Sequence, residues 1–400
     1  MNNLLMYTPR ELFLKHIAKT SDAPLQLEVD KAEGVYLFTP NGKRLIDLIS
    51  GVSVSNIGHS HPKAIEAVCE QSARYMHLMV YGEFIQYPQV RLAQQIANLL
   101  PPSLQSVYFV NSGSEAVEGA LKLAKRHTGR HGIIGFKNAY HGSTHGALSL
   151  MGDEGPKRAY RPLLPSVQHI EFNNFEEIEK ITNKTACVII EPVQGEAGII
   201  EPKFHFLQSL RDKCDSCGTL LIFDEIQTGM GRTGKIFAFE KYGVKPDILL
   251  LAKAFGGGMP LGAFISSTEI MSCLTNNPPL GHITTFGGHP VSCAAAIASL
   301  DVLIEEQLIN EVENKAQLFR ELLESHPNVI EIRSSGLLMA VELGSFDKVQ
   351  KLIHIGLERG FVTDWFLFCS TAFRIAPPLI ITNDEIKEAC SILLEVLDQI

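Results

Sequence analysis

The sequence has little that would suit it to nucleic acid or to a membrane. Its 35 Lys and Arg are outnumbered by 44 Asp and Glu, giving a formal charge of -9. No Lys/Arg run occurs, whereas binding a polyanion needs a concentrated basic face. No stretch approaches the roughly 18 consecutive apolar residues of a membrane span. The opening "MNNLLMYTPRELFLKHIAKT" lacks the basic start, apolar core and small-residue cleavage site of a leader. Repeats, low-complexity tracts and Gly/Ser linkers are missing too, and tryptophan occurs once, as Trp365. These absences lead us to expect a cytoplasmic protein acting on small molecules. The eight cysteines are scattered, and only Cys214 and Cys217 form a CxxC, with no second pair or histidine cluster to complete a zinc site. No metal is expected, and reduced thiols fit a reducing compartment.

With 400 residues and 45% apolar content, the chain can bury a large core and divide into domains. Between about residues 50 and 290, short apolar runs alternate with helical patterns. The runs are "SVYFV", "HGIIGF", "VQHIEF", "ACVIIEPV", "TLLIFDE", "DILLLA" and "GAFISS". This rhythm predicts an α/β fold with a mainly parallel sheet covered on both faces, and functional residues just past the carboxyl ends of its strands. After residue 289 come two long helical stretches, short strands and two more helices, the pattern of a smaller α+β domain.

One stretch, "GMGRTGKI" (residues 229–236), contains the GxxxxGK of a phosphate-binding P-loop. Ile236 stands where a Ser or Thr should hold Mg²⁺, and the preceding "EIQT" is not an apolar strand. Its surroundings decide the question. In "SVYFVNSGSEAVEGALKLAKRHTG" a strand is followed by Asn-Ser-Gly-Ser and a helix. Ser112 and Glu115 suit a capping box, and the amino end at Ser112, Gly113 and Ser114 is an anion site in waiting. A plain capped helix has the same pattern. Asp224 ends a strongly apolar strand, a costly place for a carboxylate without a cationic partner or ligand. An ordinary ion pair would also explain it. Lys253 follows "LLL" and precedes three glycines. A lysine in a partly apolar pocket loses its proton readily and can form a Schiff base with an aldehyde. Pyridoxal 5'-phosphate uses all three features: Lys253 for its aldehyde, the helix end for its phosphate, and Asp224 for its pyridine nitrogen.

"FDEIQTGMGRTGKIFAFEKYGVKPDILLLAKAFGGGMPLGA" closely resembles the cofactor-lysine signature of the class III aminotransferases, the relatives of acetylornithine, ornithine and 4-aminobutyrate aminotransferase. The likeness runs in family order from "GHSHP" through "NSGSEA", "YHGST", "EPVQGEAG" and "TTFGGHP" to "FRIAPPL". It makes 229–236 a loop beyond the Asp224 strand, not a P-loop. It also implies the fold-type I architecture of aspartate aminotransferase, with a seven-stranded sheet. Residues 1–50 then form a segment packing with the small domain, 51–290 the large cofactor-binding domain, and 291–400 the small domain.

The resemblance assigns further roles. Tyr140 would stack on one face of the pyridine, Ile226 would pack on the other, Gln227 would reach the ring hydroxyl, and His141 would help shape the site. Glu191 would orient the cofactor region. Thr285 would reach the phosphate of the neighbouring subunit, which makes a homodimer necessary. Arg374 would receive a substrate carboxylate, with Glu196 as the gate paired to it. His59 and His61 of "GHSHP" belong to a motif that carries no metal in the family. One departure concerns the donor: many relatives have an arginine where Ser143 stands. A hydroxyl cannot supply that charge-assisted contact, so the donor's carboxylate is held elsewhere, or the donor is a diamine or another amino acid recognised near Val54, Tyr81 or Trp365. The implied activity is amino transfer to a 2-oxo acid such as 2-oxoglutarate in two half-reactions. A racemase, aminomutase or decarboxylase on the same fold is the alternative.

Overall fold

The computed structural model describes residues 7–400. Three short strands, β1 (Lys31–Glu33), β2 (Tyr36–Phe38) and β3 (Arg44–Asp47), form an antiparallel meander near the amino end. The seven apolar runs then appear as β4 (Ser106–Val110), β5 (Gly132–Phe136), β6 (Val167–Ile170), β7 (Thr185–Ile190), β8 (Leu220–Asp224), β9 (Ile248–Leu251) and β10 (Gly262–Ser266). They make one sheet in the order β4-β10-β9-β8-β7-β5-β6. Pairing is parallel from β6 to β9, while β10 runs antiparallel to both of its neighbours.

Side-chain alternation explains why these runs are apolar throughout. In β8, Leu221 and Phe223 join one core cluster, whereas Leu220 and Ile222 join another. The same split divides Val188 and Ile190 from Cys187 and Ile189 in β7. A sheet covered on both faces leaves no position for a solvated side chain, so the run reads as continuous hydrophobe.

The remainder of the chain contributes β11 (Glu331–Ser334), β12 (Met339–Glu342), β13 (Phe361–Val362), β14 (Trp365–Phe366) and β15 (Cys369–Ile375). Four of these form an antiparallel sheet, β11-β12-β15-β14, while β13 pairs in parallel with β3 of the amino-terminal meander. Helices Pro290–Glu305, Val312–Leu323, Phe346–Arg359 and Asn383–Leu397 accompany them. The last begins with a complete capping box, in which Thr382 and Glu385 each accept the other's backbone N–H.

The "GMGRTGKI" stretch is a loop beyond β8, and its arginine rather than its lysine is the buried residue. Arg232 is fully enclosed and gathers distant parts of the chain. Its Nη1 donates to the carbonyls of Leu337 and Pro377, and its Nη2 to Ser50 Oγ and Asn56 Oδ1. Burial pulls the guanidinium down to about 9, against the opposing charge of Asp47, so it stays protonated near neutrality. Asp47 in turn accepts from the backbone N–H groups of Ile49 and Ser50 and lies 2.7 Å from His59 Nε2.

Candidate active site

Past the carboxyl ends of β4 and β8 lies a cavity of about 370 Å³, lined among others by Ser112, Gly113, Ser114, Tyr140, His141, Asp224, Ile226, Gln227 and Lys253. Such a crevice is where open α/β sheets place their ligands.

The phosphate end of the site is built by helix Gly113–Thr128. Ser112 is its N-cap and accepts from Glu115 N at 3.2 Å. The expected reciprocal bond differs: Glu115 Oε2 accepts from Asn111 N at 2.7 Å and from the Asn111 side chain, so the carboxylate reaches one residue further back. The N–H groups of Gly113 and Ser114 are left in the first helical turn, where the helix dipole favours an anion. A side chain at Gly113 would meet Ile226 Cδ1 at 2.8 Å. One at Gly142, whose φ is +124°, would meet Ser114 Oγ at 2.1 Å. Both positions therefore need glycine to keep the cradle open.

Asp224 is 3% exposed and holds two contacts. Its Oδ1 accepts from Ile226 N at 3.0 Å, and its Oδ2 lies 2.6 Å from His141 Nδ1. Burial alone would lower the His141 imidazole, but the hydrogen bond to Asp224 and the charges of Asp224 and Glu191 outweigh it and raise its pKa. Glu191 accepts from Tyr140 N and Gly195 N, both at 3.2 Å. Burial, with Asp224 nearby, pushes its carboxyl up to about 7. In the lining of this cavity, the buried nitrogens His141 Nε2 and Gln227 Nε2 have no partner among the described residues.

Lys253 opens a short 3-10 turn after β9 with a φ of +51°. A non-glycine residue in that region is strained, and strain of this kind gathers at functional sites. Burial lowers the lysine's pKa. Glu196, Asp224 and Glu191 pull the other way, and Arg374 adds to the lowering. The result is an amine closer to its neutral, nucleophilic form than an exposed lysine.

Tyr140 and Lys253 also line a second cavity of about 410 Å³, completed by Val52, Glu196, Asp364, Trp365, Leu367 and Arg374. Arg374, on β15, is 1% exposed. Its Nη2 donates to both oxygens of Glu196, at 2.9 and 3.1 Å, and its Nε to Asp364 Oδ1 at 2.9 Å. Phe366 lies under the guanidinium, 4.5 Å from ring centre to Cζ. Burial works against the guanidinium's charge, but Asp364 and Glu196 more than restore it, and its pKa rises.

Two of the expected residues stand apart. Thr285 is exposed and lines neither cavity, and Tyr81 lines a separate groove with Phe84, Ile85 and Thr284. Ser143 is exposed, its Oγ 3.4 Å from the Tyr140 hydroxyl. Val54 lines the first cavity and Trp365 the second.

Sequence reasoning missed Asp364, since nothing in "VTDWF" signals that its carboxylate meets an arginine ten residues later. It also missed the turn Ser50–Ser53, where four successive residues have φ between 43° and 63°. A left-handed conformation costs about 1–2 kcal/mol per non-glycine residue, and only Gly51 hints at it. The turn brings Val52 to the second cavity.

The family profile described as aminotransferase class III matches residues 17–397. An acetylornithine aminotransferase of Methanopyrus kandleri is 40% identical over 393 residues, 97% of this chain and 98% of that protein. One from Methanocaldococcus jannaschii is 39% identical, over 92% of this chain and 93% of that protein. An ornithine aminotransferase structure from Toxoplasma gondii, described with partial occupancy of PLP at its active site, superposes with a TM-score of 0.88 at 30% identity. That match covers 97% of this chain and 92% of that one. The chain belongs to the class III aminotransferase family.

Proposed function

We propose that the protein is a pyridoxal-phosphate-dependent aminotransferase that takes the amino group of an acetylornithine- or ornithine-like donor and delivers it to a 2-oxo acid, with 2-oxoglutarate the expected acceptor. The observation that carries this reading is convergence: a pKa-lowered Lys253, a buried Asp224 and the free first turn at Gly113 and Ser114 meet in one cavity.

The residues fit the cofactor. The helix end suits a phosphate, kept open by Gly113 and Gly142. Tyr140 and Ile226 supply two walls for a flat ring, and Gln227 Nε2 is a buried donor awaiting an acceptor. Pyridoxal phosphate, when bound, supplies an aldehyde for amines and a ring that withdraws electrons. The chain's residues do the rest. Asp224, held by Ile226 N and His141, sets a negative charge where a ring nitrogen's proton would sit. Lys253 Nζ serves as nucleophile and then as the base that takes a proton from the amine-bearing carbon. Arg374 receives a substrate carboxylate, and Glu196, now paired with it, withdraws when a dicarboxylate arrives.

The reading includes a homodimer in which Thr285 serves the partner's site. Supporting this, the segment around Thr285 exposes Leu280, Ile283 and Phe286, and residues 76–90 expose Met76, Phe84, Ile85 and Tyr87. Phe286 packs on His77, which joins the two sets into one apolar surface. It also includes a cytoplasmic location, which eight free thiols suit, and the division into 1–50, 51–290 and 291–400.

The test is the visible absorption of the purified protein with cofactor, before and after adding single donors without acceptor. A donor should discharge the cofactor band, and Lys253→Ala should fold yet lose turnover by about 10³-fold or more. Full turnover by that variant would overturn the reading.

A further inference from the structure

The loop that carries Thr285 leaves that residue exposed, yet it is fastened along its length to this chain's own framework. Tyr108 Oη, on β4, donates to the carbonyl of His282 at 2.6 Å, and Gln89 Nε2 donates to that of Gly288 at 2.7 Å. Beside Thr285, Asn111 Nδ2 donates to Thr284 Oγ1 at 2.9 Å and to Glu115 Oε2 at 2.8 Å, so both of its amide hydrogens are engaged. Glu115 Oε2 also takes Asn111 N at 2.7 Å, which fixes that residue at backbone and side chain. The methyl of Thr284 closes against Gly287, where a side chain would meet Cγ2 at 2.3 Å and the carbonyl of Phe109 at 2.5 Å. Thr284 is thus held half-buried by hydroxyl and methyl together, while its neighbour faces solvent.

We infer that Asn111, acting through Thr284, is the positioning residue that sets Thr285 in place for the cofactor phosphate of the partner subunit. This inference rests on the homodimer reading, with Thr285 crossing to the partner's site, and deepens it by naming what holds that threonine. It also gives the displaced cap a purpose. A closed capping box would engage Glu115 at Ser112 N and leave the Asn111 amide free to turn. Here the carboxylate reaches past Ser112 and locks Asn111 with its second hydrogen aimed at Thr284. A hydroxyl that meets a phosphate held by another subunit binds better when its loop is ordered beforehand, because ordering it on contact would subtract from the affinity. Asn111 also lines its own protomer's first cavity. One junction of strand and helix then serves both sites of the dimer: its helix end faces its own phosphate, and its amide holds the threonine meant for the other.

The test uses Thr284→Val, which keeps the shape of the side chain and removes the acceptor, with Thr284→Ser as the conservative control. Calorimetric titration of the apoprotein with pyridoxal phosphate should show Kd raised about 3- to 10-fold in Thr284→Val, the size of one net hydrogen bond, and near wild type in Thr284→Ser. In an Asn111→Ala background Thr284→Val should add no further loss. Pyridoxal, which has no phosphate, should bind wild type and Thr284→Val equally, a distinction that a general packing defect would not make. Hybrid dimers then assign the effect to a site. When Lys253→Ala and Thr284→Val protomers pair, the one site with a lysine receives its threonine from the unaltered loop of the Lys253→Ala protomer. Its visible cofactor band should therefore be half-saturated at the wild-type concentration. A band that still needs the higher concentration would overturn the inference, since Thr284 would then serve its own site. So would a Thr284→Val protein that binds pyridoxal phosphate as tightly as wild type, or one that loses pyridoxal to the same degree. Those results leave the homodimer reading standing. Thr285→Ala with wild-type affinity for pyridoxal phosphate, or with no recovery in the same hybrid, would remove the crossing of Thr285 and this inference with it.

Discussion

His141 Nδ1 lies 2.6 Å from Asp224 Oδ2, and both side chains are shut away from solvent. The contact leaves Asp224 Oδ1 held by Ile226 N, so the carboxylate has a fixed plane. Removing the imidazole should leave a buried charge with one partner fewer. His141→Leu is expected to lower kcat/KM by about 10- to 100-fold, the value of a hydrogen bond to a charged group. The cofactor's visible band should also change its pH dependence, which a simple packing defect would not produce. An unchanged spectrum across pH would exclude the role.

Glu191 provides a pH prediction. Burial raises its carboxyl to about 7, above the value of 4.5 for a free side chain. A group whose folded pKa is raised gives stability that is complete below 4.5 and lost as pH rises through 7. Wild-type stability should fall across that window. Glu191→Gln cannot ionise, so it should lose this part of the slope and gain over wild type above pH 7, on the order of 3 kcal/mol. Parallel melting-temperature profiles for the two proteins would contradict it.

Much of the fold was legible because a sheet buried on both faces writes itself as uninterrupted hydrophobe: "TLLIFDE" leaves few other structures for its residues. Lys253 and Asp224 stood out because a charge directly after such a run needs a reason. Asp364 did not stand out. Its meaning comes from β14 and β15 lying side by side, with Trp365 opposite Phe373, which places it against Arg374. The same holds for Glu115, whose carboxylate passes over Ser112 N to reach Asn111. Arg232 hid inside a motif that drew attention to its glycines and lysine instead.

That arginine carries the stability prediction. Arg232→Met should leave the carbonyls of Leu337 and Pro377 and the side chains of Ser50 and Asn56 without their shared donor. Loss of about 3 kcal/mol or more is expected, in the range for breaking a buried charged network. Thermal unfolding measures it. Arg232→Lys should recover little, because one ammonium cannot serve two carbonyls and two side chains set around a planar fork. A lysine variant as stable as wild type would show that charge alone matters.

Subunit exchange tests Thr285. If it serves the partner's site, mixing inactive Lys253→Ala protomers with inactive Thr285→Ala protomers creates hybrid dimers with one intact site. Random pairing should then restore about a quarter of wild-type activity. If Thr285 serves its own site, every site in every hybrid carries a lesion and no activity returns.

The acceptors of Arg232 come from residues 50, 56, 337 and 377, and β3 finds its parallel neighbour β13 more than three hundred residues downstream. During synthesis the ribosome releases the Lys253 loop long before it releases Pro377. The nascent chain must therefore hold a guanidinium short of its full set of acceptors and an unpaired strand edge until residues 337–377 emerge. Completion of the substrate cavity is tied to the same late event, since Arg374 is three residues from Pro377. A ribosome stalled before that point would carry a seven-strand sheet with its lysine in place and nothing to receive a substrate carboxylate.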